Sequence, residues 1–213
     1  MESFDDLMRQ AELAHGHLCA GQILGVRLAM LGCQRLGIVE PRTTDRKRLV
    51  TFVEIDRCAT DAIAVVTGCR LGKRALKFRD WGKMAATFVD LNHQLAPQSD
   101  GTPAYKGIRI SALESSKQRA RELYPQIENK NQQQMLAYRE LPDAELFHEQ
   151  WVRVPIHPRE MPGYKSARIA CALCGEGINY DRNAIDPKGR ILCHSCAAPE
   201  SRYYELIQQD RQT

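Results

Sequence analysis

The chain reads Ala20-Gly-Gln-Ile-Leu-Gly-Val-Arg-Leu-Ala-Met-Leu-Gly-Cys-Gln-Arg-Leu36 in its N-terminal part. At helical spacing, Arg27 and Gln34 mark the one narrow polar stripe on a surface that is otherwise largely apolar. A helix of this kind has to be covered by other elements on most of its sides. The stretch therefore predicts a buried central helix, which Gly37 ends.

Strand and helix patterns surround this helix. Leu49-Val-Thr-Phe-Val-Glu-Ile55 is short, β-branched and almost continuously apolar, which predicts a central strand. Asp56 is expected to be the N-cap of a helix over residues 58–67, which Gly68 ends. Further elements are predicted outside this region: a first helix over 2–14, strands over 75–79, 83–89, 107–111 and 151–156, and a helix over 112–140 that is broken at Pro125. The predicted class is α+β, with a small central sheet and helices.

Four cysteines near the C-terminus have the spacing of a metal site. Cys171-Ala-Leu-Cys174 is followed, after eighteen residues, by Cys193-His-Ser-Cys196. Two such pairs bring four sulfurs to one tetrahedral point, which predicts a structural zinc ion. Replacement of one ligand by His194 and a pair of redox dithiols are the alternatives. We accordingly predict an α+β domain over residues 1–160 and a small zinc-finger domain over 161–213.

A second cluster of ligand-type residues is His15-Gly-His-Leu-Cys19. Cys19 and Cys58 each fall at the start of a predicted helix, where the helix dipole is expected to lower the pKa of a thiol. An extended backbone, which Gly16 favours, projects His15, His17 and Cys19 to one side. We predict a transition-metal site of His17, Cys19 and Cys58 with an open fourth position, and His15 nearby as its least secure member.

The residues around this predicted site have expected roles of their own. Glu54, Asp56 and Asp61 can supply carboxylates that orient ligands or act as a general base. The other two N-terminal cysteines have simpler interpretations: Cys33 is expected to be an apolar filler in the buried helix, whereas Cys69 is equally consistent with a filler and with a functional thiol.

Composition and charge narrow the function classes. The chain has 213 residues, a net charge of +4 and eight cysteines. It has no apolar run of transmembrane length and an acidic N-terminus unlike a signal peptide, so we expect a cytoplasmic protein that keeps its thiols reduced. Charges from Tyr164 onward nearly balance, at seven Lys/Arg to six Asp/Glu, which argues against nucleic acid as a ligand.

One basic stretch runs from Arg70 to Lys83, where six cations face a single acid. It is either a solvated surface or a site for an anionic ligand, with Lys73, Arg79 and Lys83 as candidate ligand-binding residues. Gly68-x-x-x-Gly72-Lys73 is not a phosphate loop, because its spacing is one residue short and Arg74 stands where a Ser or Thr should reach magnesium.

Four motifs together resemble those of the FmdE-like family of formylmethanofuran dehydrogenase proteins, over about residues 10–155. They are His15-Gly-His-Leu-Cys-x-Gly-x-x-x-Gly25, Asp56-Arg-Cys-Ala-x-Asp-Ala-Ile63, Val66-Thr-Gly-Cys-x-x-Gly-Lys73 and Phe78-Arg-Asp-x-Gly-Lys83. Ala20 departs from the proline expected there. The resemblance implies an α+β domain, often followed by a small zinc finger, and a link to molybdenum or tungsten enzymes.

Three functions follow as hypotheses. The first is a metal-binding accessory protein, acting as a homodimer or with a molybdenum or tungsten enzyme, that carries a transition metal at the N-terminal site and a structural zinc at the C-terminal one. The second is a metal- or thiolate-dependent enzyme in which Cys58 or Asp61 handles a proton. The third is a regulator whose zinc finger binds nucleic acid or protein.

Overall fold

The computed structural model describes residues 1–205 and divides the chain into two compact units. The first is Met1–Gly163 and the second begins at Tyr164. The first contains helices and a mixed sheet, and the second contains short strands around a cysteine cluster, which confirms the predicted α+β class. The last eight residues of the predicted zinc-finger domain, 206–213, lie outside the described residues.

The first unit contains six α-helices and five strands. The helices are α1 (Phe4–His15), α2 (Ala20–Arg35), α3 (Cys58–Thr67), α4 (Ser115–Leu123), α5 (Lys130–Glu140) and α6 (Asp143–Leu146). The strands are β1 (Leu49–Val53), β2 (Leu76–Phe78), β3 (Ala85–Leu95), β4 (Ala104–Ala112) and β5 (Phe147–Pro155).

The five strands form one mixed sheet in the order β2-β1-β3-β4-β5. β1 pairs with β2 in parallel, and the other neighbours are antiparallel. β2 and β3 lie on opposite sides of β1, so the connection through Trp81 and Gly82 crosses from one side of β1 to the other. β3 is longer than its apolar pattern indicates, because a register shift between Val89 and Gln94 lets it continue along β4.

The buried helix predicted from the sequence is α2, and it packs against α1, α3, α5 and the sheet strands β3 and β4. A side chain at Gly25 would lie 2.6 Å from the Ala59 carbonyl oxygen of α3, and one at Gly32 would overlap the Phe88 ring of β3. Glycine is therefore required at both positions for this close packing.

The polar stripe on α2 has a structural role. The Arg27 guanidinium donates hydrogen bonds to the Tyr138 and Leu141 carbonyl oxygens and pairs with the Asp143 carboxylate at 2.5 Å. These bonds satisfy carbonyl groups at the end of α5, which otherwise have no partner within that helix. Arg27 thus joins α2 to the chain between α5 and α6.

The prediction that Asp56 is the N-cap of α3 is wrong. Asp56 lies one residue too early, and Arg57 occupies the cap position without a side-chain hydrogen bond. The helix bounds themselves, Cys58–Thr67, agree with the prediction, and Gly68 ends the helix with φ of 67°. Asp56 instead remains exposed at the rim of a cavity beside the helix start.

The second unit, as far as the structure describes it, contains two small antiparallel sheets and one short helix. They are β6 (Ile169–Ala170) with β7 (Gly177–Ile178), β8 (Asn183–Ile185) with β9 (Ile191–Cys193), and α7 (His194–Ala197). Its small core consists of Cys171, Ile178 and Leu192. Across residues 1–205 none of the helices combines the length and apolarity needed to cross a bilayer.

Candidate metal centres

The N-terminal cluster forms at the junction between α1 and α2. His15 is the last residue of α1, and Gly16 ends that helix in the left-handed conformation with φ of 93°. Cys19 is the extended residue that precedes α2. The sequence favoured an extended segment over 15–19, whereas the structure has a helix end followed by a reversal at Gly16. The reversal brings His15 back towards His17 and Cys19.

His15, His17 and Cys19 place their ligand atoms within 4.8 Å of one another. The two imidazole rings lie 4.7 Å apart, centroid to centroid. His15 and Cys19 are partly buried, and His17 is exposed. Two imidazole nitrogens and one thiol at this separation are a ligand set for zinc or another borderline-soft metal.

Asp61 of α3 fixes the orientation of His15. The His15 Nδ1 atom lies 2.9 Å from Asp61 Oδ2, and a carboxylate in this position favours the tautomer with the proton on Nδ1. The Nε2 lone pair is then the one available to a metal ion. The sequence left His15 as the least secure ligand, and this contact links it to the predicted carboxylate.

Cys58 lies beside Cys19. An added Cβ at Gly21 would lie 3.4 Å from Cys58 Cβ and 3.7 Å from Cys19 Sγ, so both cysteines border the same glycine. Cys58 is not part of the three-residue group, but its thiol lies near that of Cys19. Burial, followed by this contact, raises the pKa of Cys58. The expected activation of Cys58 by the helix dipole is therefore wrong for the metal-free protein.

An open cavity of about 380 Å³ adjoins this cluster. It is lined by His15, Asp56, Arg57, Cys58, Thr60 and Asp61. Glu54, the third carboxylate expected here, is absent from this lining. Glu54 is buried and accepts two 2.7 Å hydrogen bonds from the Arg109 guanidinium, so its carboxylate is occupied elsewhere.

One contact near the cluster is not indicated by any sequence pattern. The Ala20 amide at the start of α2 donates a 3.3 Å hydrogen bond to the Asn131 side chain in the first turn of α5. It holds the backbone next to Cys19 through a residue 111 positions away. No spacing or composition signal connects the two residues, which explains why the sequence did not reveal it.

The four C-terminal cysteines converge as their spacing predicts. The Sγ atoms of Cys171, Cys174, Cys193 and Cys196 all lie within 4.8 Å of one another. Backbone amides, first that of Cys174 and then that of Cys193 at 3.3 Å, point at the Cys171 sulfur and lower its pKa to about 6. His194 is the first residue of α7 and is not in the group. The cluster can hold one metal ion with four sulfur ligands and no open position.

The basic stretch does not form one surface. Arg79 pairs with Glu160 at 3.3 Å and lies over the Phe52 ring, and Lys83 lies over the Trp81 ring. Lys73 points elsewhere and lines a separate cavity of about 710 Å³. The three candidate ligand-binding residues Lys73, Arg79 and Lys83 therefore do not form one site.

The remaining two N-terminal cysteines are buried. Cys33 has no exposed surface and Cys69 is 2% exposed. Cys69 accepts a hydrogen bond from Thr51 at 3.5 Å and lies at the same cavity as Lys73. Cys33 fills the core, as the sequence predicts.

The fold and the ligand clusters define an α+β protein with a His/Cys group in its first unit and a four-cysteine group in its second. Residues 14–148 match the family described as FmdE, molybdenum formylmethanofuran dehydrogenase operon. This match covers more than half of the chain, and the chain belongs to the FmdE family.

The proteins similar to this chain include the following two. A tungsten formylmethanofuran dehydrogenase FmdE-like protein from Syntrophus aciditrophicus shares the fold, with a TM-score of 0.57 and 16% identity over 94% of this chain and 95% of that one. A probable S-adenosyl-L-methionine-binding protein from Archaeoglobus fulgidus is 37% identical over 84 residues, which are 39% of this chain. The match spans only 23% of that relative's length.

Proposed function

We propose that this protein is a metal-binding accessory protein of the FmdE family, with a transition metal at His15, His17 and Cys19 and a structural zinc ion at the four C-terminal cysteines. The observation that carries the proposal is the convergence of the three N-terminal ligand atoms within 4.8 Å, with His15 oriented by Asp61. If the three residues were grouped by chance, there would be no reason for a carboxylate to orient His15 as well.

The ligand set supports an exchangeable rather than a closed site. Three protein ligands leave one tetrahedral position open, and a cavity lies beside it. Cys58 next to Cys19 is placed to become a fourth ligand. Since His17 is exposed, a partner's ligands can reach the metal and replace those of this chain. These are the properties expected of a protein that delivers or receives a metal.

The second unit supports a structural zinc ion. Its described core is three residues, and a unit of this size needs a further source of folding free energy. Amides that already point at Cys171 stabilise a thiolate there before any metal arrives. Four sulfur ligands leave no room for a substrate, so the ion holds the fold and takes no part in chemistry.

Metal content of the full chain tests the two sites. Purified protein should contain about two equivalents of metal by elemental analysis, and the double variant His17→Ala with Cys19→Ser should contain about one. His148→Ala, which removes an exposed histidine elsewhere, is the matched control and should keep both. Two equivalents in the double variant would disprove the N-terminal site.

The accessory role requires a separate experiment. We infer that the partner is a molybdenum or tungsten enzyme of the formylmethanofuran dehydrogenase type, since the family description ties its members to that operon. The homodimer expected from the sequence stays a prediction. The enzyme should reach full metal content and activity when co-expressed with this protein and lose part of both with the double variant. Equal activity with both would exclude the accessory role while leaving metal binding intact.

The cavity beside the N-terminal cluster favours one alternative, a metal-dependent enzyme. A metal held by the three ligands would lower the pKa of a water molecule at its open position. Asp56 lies on the cavity wall without a hydrogen-bond or ion-pair partner among residues 1–205. Asp61 is engaged by His15, and the raised pKa of Cys58 opposes a thiolate mechanism. Hydrolysis of an activated ester by metal-loaded protein, lost in His17→Ala and in Asp56→Asn, would support it; equal rates in all three would reject it.

A further inference from the structure

A second cavity in the first unit, of about 710 Å³, is separate from both metal clusters in its lining residues. Five of its lining residues are basic: Arg42, Arg46, Lys47, Arg70 and Lys73. Among residues 1–205, no Asp or Glu belongs to the lining. Arg42, Arg46 and Lys47 come from the connection before β1, and the other two come from the turn between α3 and β2.

Most of these cations have no internal counterion. Arg42 pairs with Glu2 and donates to the Gln10 side chain, whereas Arg46, Lys47, Arg70 and Lys73 have no ion pair or side-chain hydrogen bond with any of residues 1–205. Four like charges around one cavity repel each other and lower the stability of the fold. A bound anion would remove that cost.

The nearby carboxylates are already engaged. Asp45 and Asp90 both pair with Arg48, at 3.0 and 2.9 Å. Asp45 also accepts the Val39 and Glu40 amides, which with Arg48 lowers its pKa. Of the cations in the connection before β1, Arg48 therefore pairs with internal carboxylates, whereas Arg46 and Lys47 line the cavity without such a partner.

The rest of the cavity is apolar. Buried Ala75 and Cys69 and half-buried Leu91 form part of its wall, together with Pro162. A cavity of this size takes an organic molecule of ordinary cofactor dimensions, since such sites span about 300–1,000 Å³. An apolar wall and a cationic rim fit a molecule with one organic and one multiply charged end.

We propose that this cavity binds a phosphorylated small molecule with at least two negative charges. Its phosphates contact Arg46, Lys47, Arg70 and Lys73, and its organic part lies against Ala75 and Leu91. The segment is not a phosphate loop, because residues 71–74 form a turn that leads into β2 and not into a helix. Side-chain charge therefore provides the binding, and no magnesium ion is needed.

Calorimetric titration of the full chain with inorganic phosphate, pyrophosphate and ATP, with and without magnesium, tests this site. Pyrophosphate and ATP should bind more tightly than phosphate, ATP most tightly, and magnesium should not be required. The double variant Arg70→Ala with Lys73→Ala should weaken ATP binding at least about tenfold. Each single variant, measured in parallel, should weaken it less, which keeps the test valid if the double variant fails to fold.

The matched control is Arg121→Ala with Lys130→Ala, which removes two exposed cations without ion pairs among the described residues, on α4 and α5. ATP binding unchanged in all cavity variants, or weakened equally in the control, would overturn the proposal. Binding of single-stranded DNA that depends on Arg70 and Lys73, without binding of pyrophosphate or ATP, would also overturn it. The variant His17→Ala should bind ATP as the unaltered protein does, which separates this site from the metal cluster.

Discussion

His15 Nδ1 lies 2.9 Å from Asp61 Oδ2 and joins the end of α1 to the first turn of α3. The His15 side chain is 18% exposed and that of Asp61 57%, so solvent weakens the charge interaction while the direction of the hydrogen bond is kept. Its main effect is to hold one imidazole nitrogen towards His17 and Cys19.

Loss of the Asp61 carboxylate should weaken the N-terminal metal site. A carboxylate that orients a metal-binding histidine contributes about 10–100-fold to metal affinity, and Asp61→Ala should raise the dissociation constant for zinc by that factor. Competition with a chromogenic chelator measures it. Asp56→Ala removes an acid from the same cavity that has no contact with His15, and should change the affinity much less. If both variants lost zinc affinity equally, Asp61 would act only through its negative charge and not by orienting His15.

The thiol of Cys58 should titrate above its ordinary range in the metal-free protein. Burial raises its pKa first, and the hydrogen bond and charge of Cys19 raise it further. Cys19→Ala removes the second cause, so the pKa of Cys58 should fall. Iodoacetamide alkylation of Cys58 between pH 7 and 11, followed by mass spectrometry, gives both values. An unchanged or higher pKa in Cys19→Ala would show that the two thiols do not interact.

Short sequence patterns were sufficient to predict much of the fold. The bounds of α3 follow from a short apolar run that ends at Gly68, and the four-cysteine cluster follows from spacing alone. Asp56 was misplaced as a cap because a cap depends on where the first turn closes, which the apolar pattern leaves uncertain by one residue.

Contacts between segments far apart in the chain could not be predicted from the sequence. His15 and Asp61 are 46 residues apart, and only the packing of α1 on α3 brings them together. No sequence pattern showed that the cations of the connection over 41–48 line the same cavity as Lys73. Likewise, charge counting grouped Arg79 with Lys73, although Glu160, far along the chain, pairs with Arg79.

Close packing of α2 on α3 should make Gly25 intolerant of any side chain. In Gly25→Ala the new methyl would lie 2.6 Å from the Ala59 carbonyl oxygen and 2.8 Å from Ala62 Cβ, and the helices would have to separate. We expect a loss of about 1–3 kcal/mol in the free energy of unfolding, measured in urea. Gly72→Ala, which meets no atom within 4 Å, should change it little. Equal stability of the two variants would contradict the packing.

The buried Cys33 thiol should make stability fall at alkaline pH. Burial raises its pKa from 9.0 to about 12, so the folded state holds the proton more tightly than the unfolded chain does. The resulting stability is complete below pH 9 and is lost as the pH rises towards 12. At pH 10.5 the loss is about 2 kcal/mol. Between pH 8.5 and 10.5, the free energy of unfolding measured in urea should fall less in Cys33→Ala than in the unaltered protein. The decline that remains in this variant comes from buried Cys69, whose pKa is also raised.

Removal of metal should unfold the second unit and leave the first intact. The second unit has a described core of three residues and, in the proposed function, is stabilised by a metal at its four cysteines, whereas the first has a large apolar core around α2. Amide NMR spectra recorded during titration with a strong chelator should lose the dispersed signals of residues 164–205 and keep those of the first unit.

Variants of the second unit separate the sulfur ligands from the neighbouring histidine. Cys174→Ser should produce the same selective loss of signals without chelator, since the remaining three thiolates bind zinc more weakly. His194→Ala is the matched control and should leave the spectrum folded, because His194 is outside the sulfur cluster. Unfolding of the second unit in His194→Ala, but not in Cys174→Ser, would assign the ligand role to the histidine.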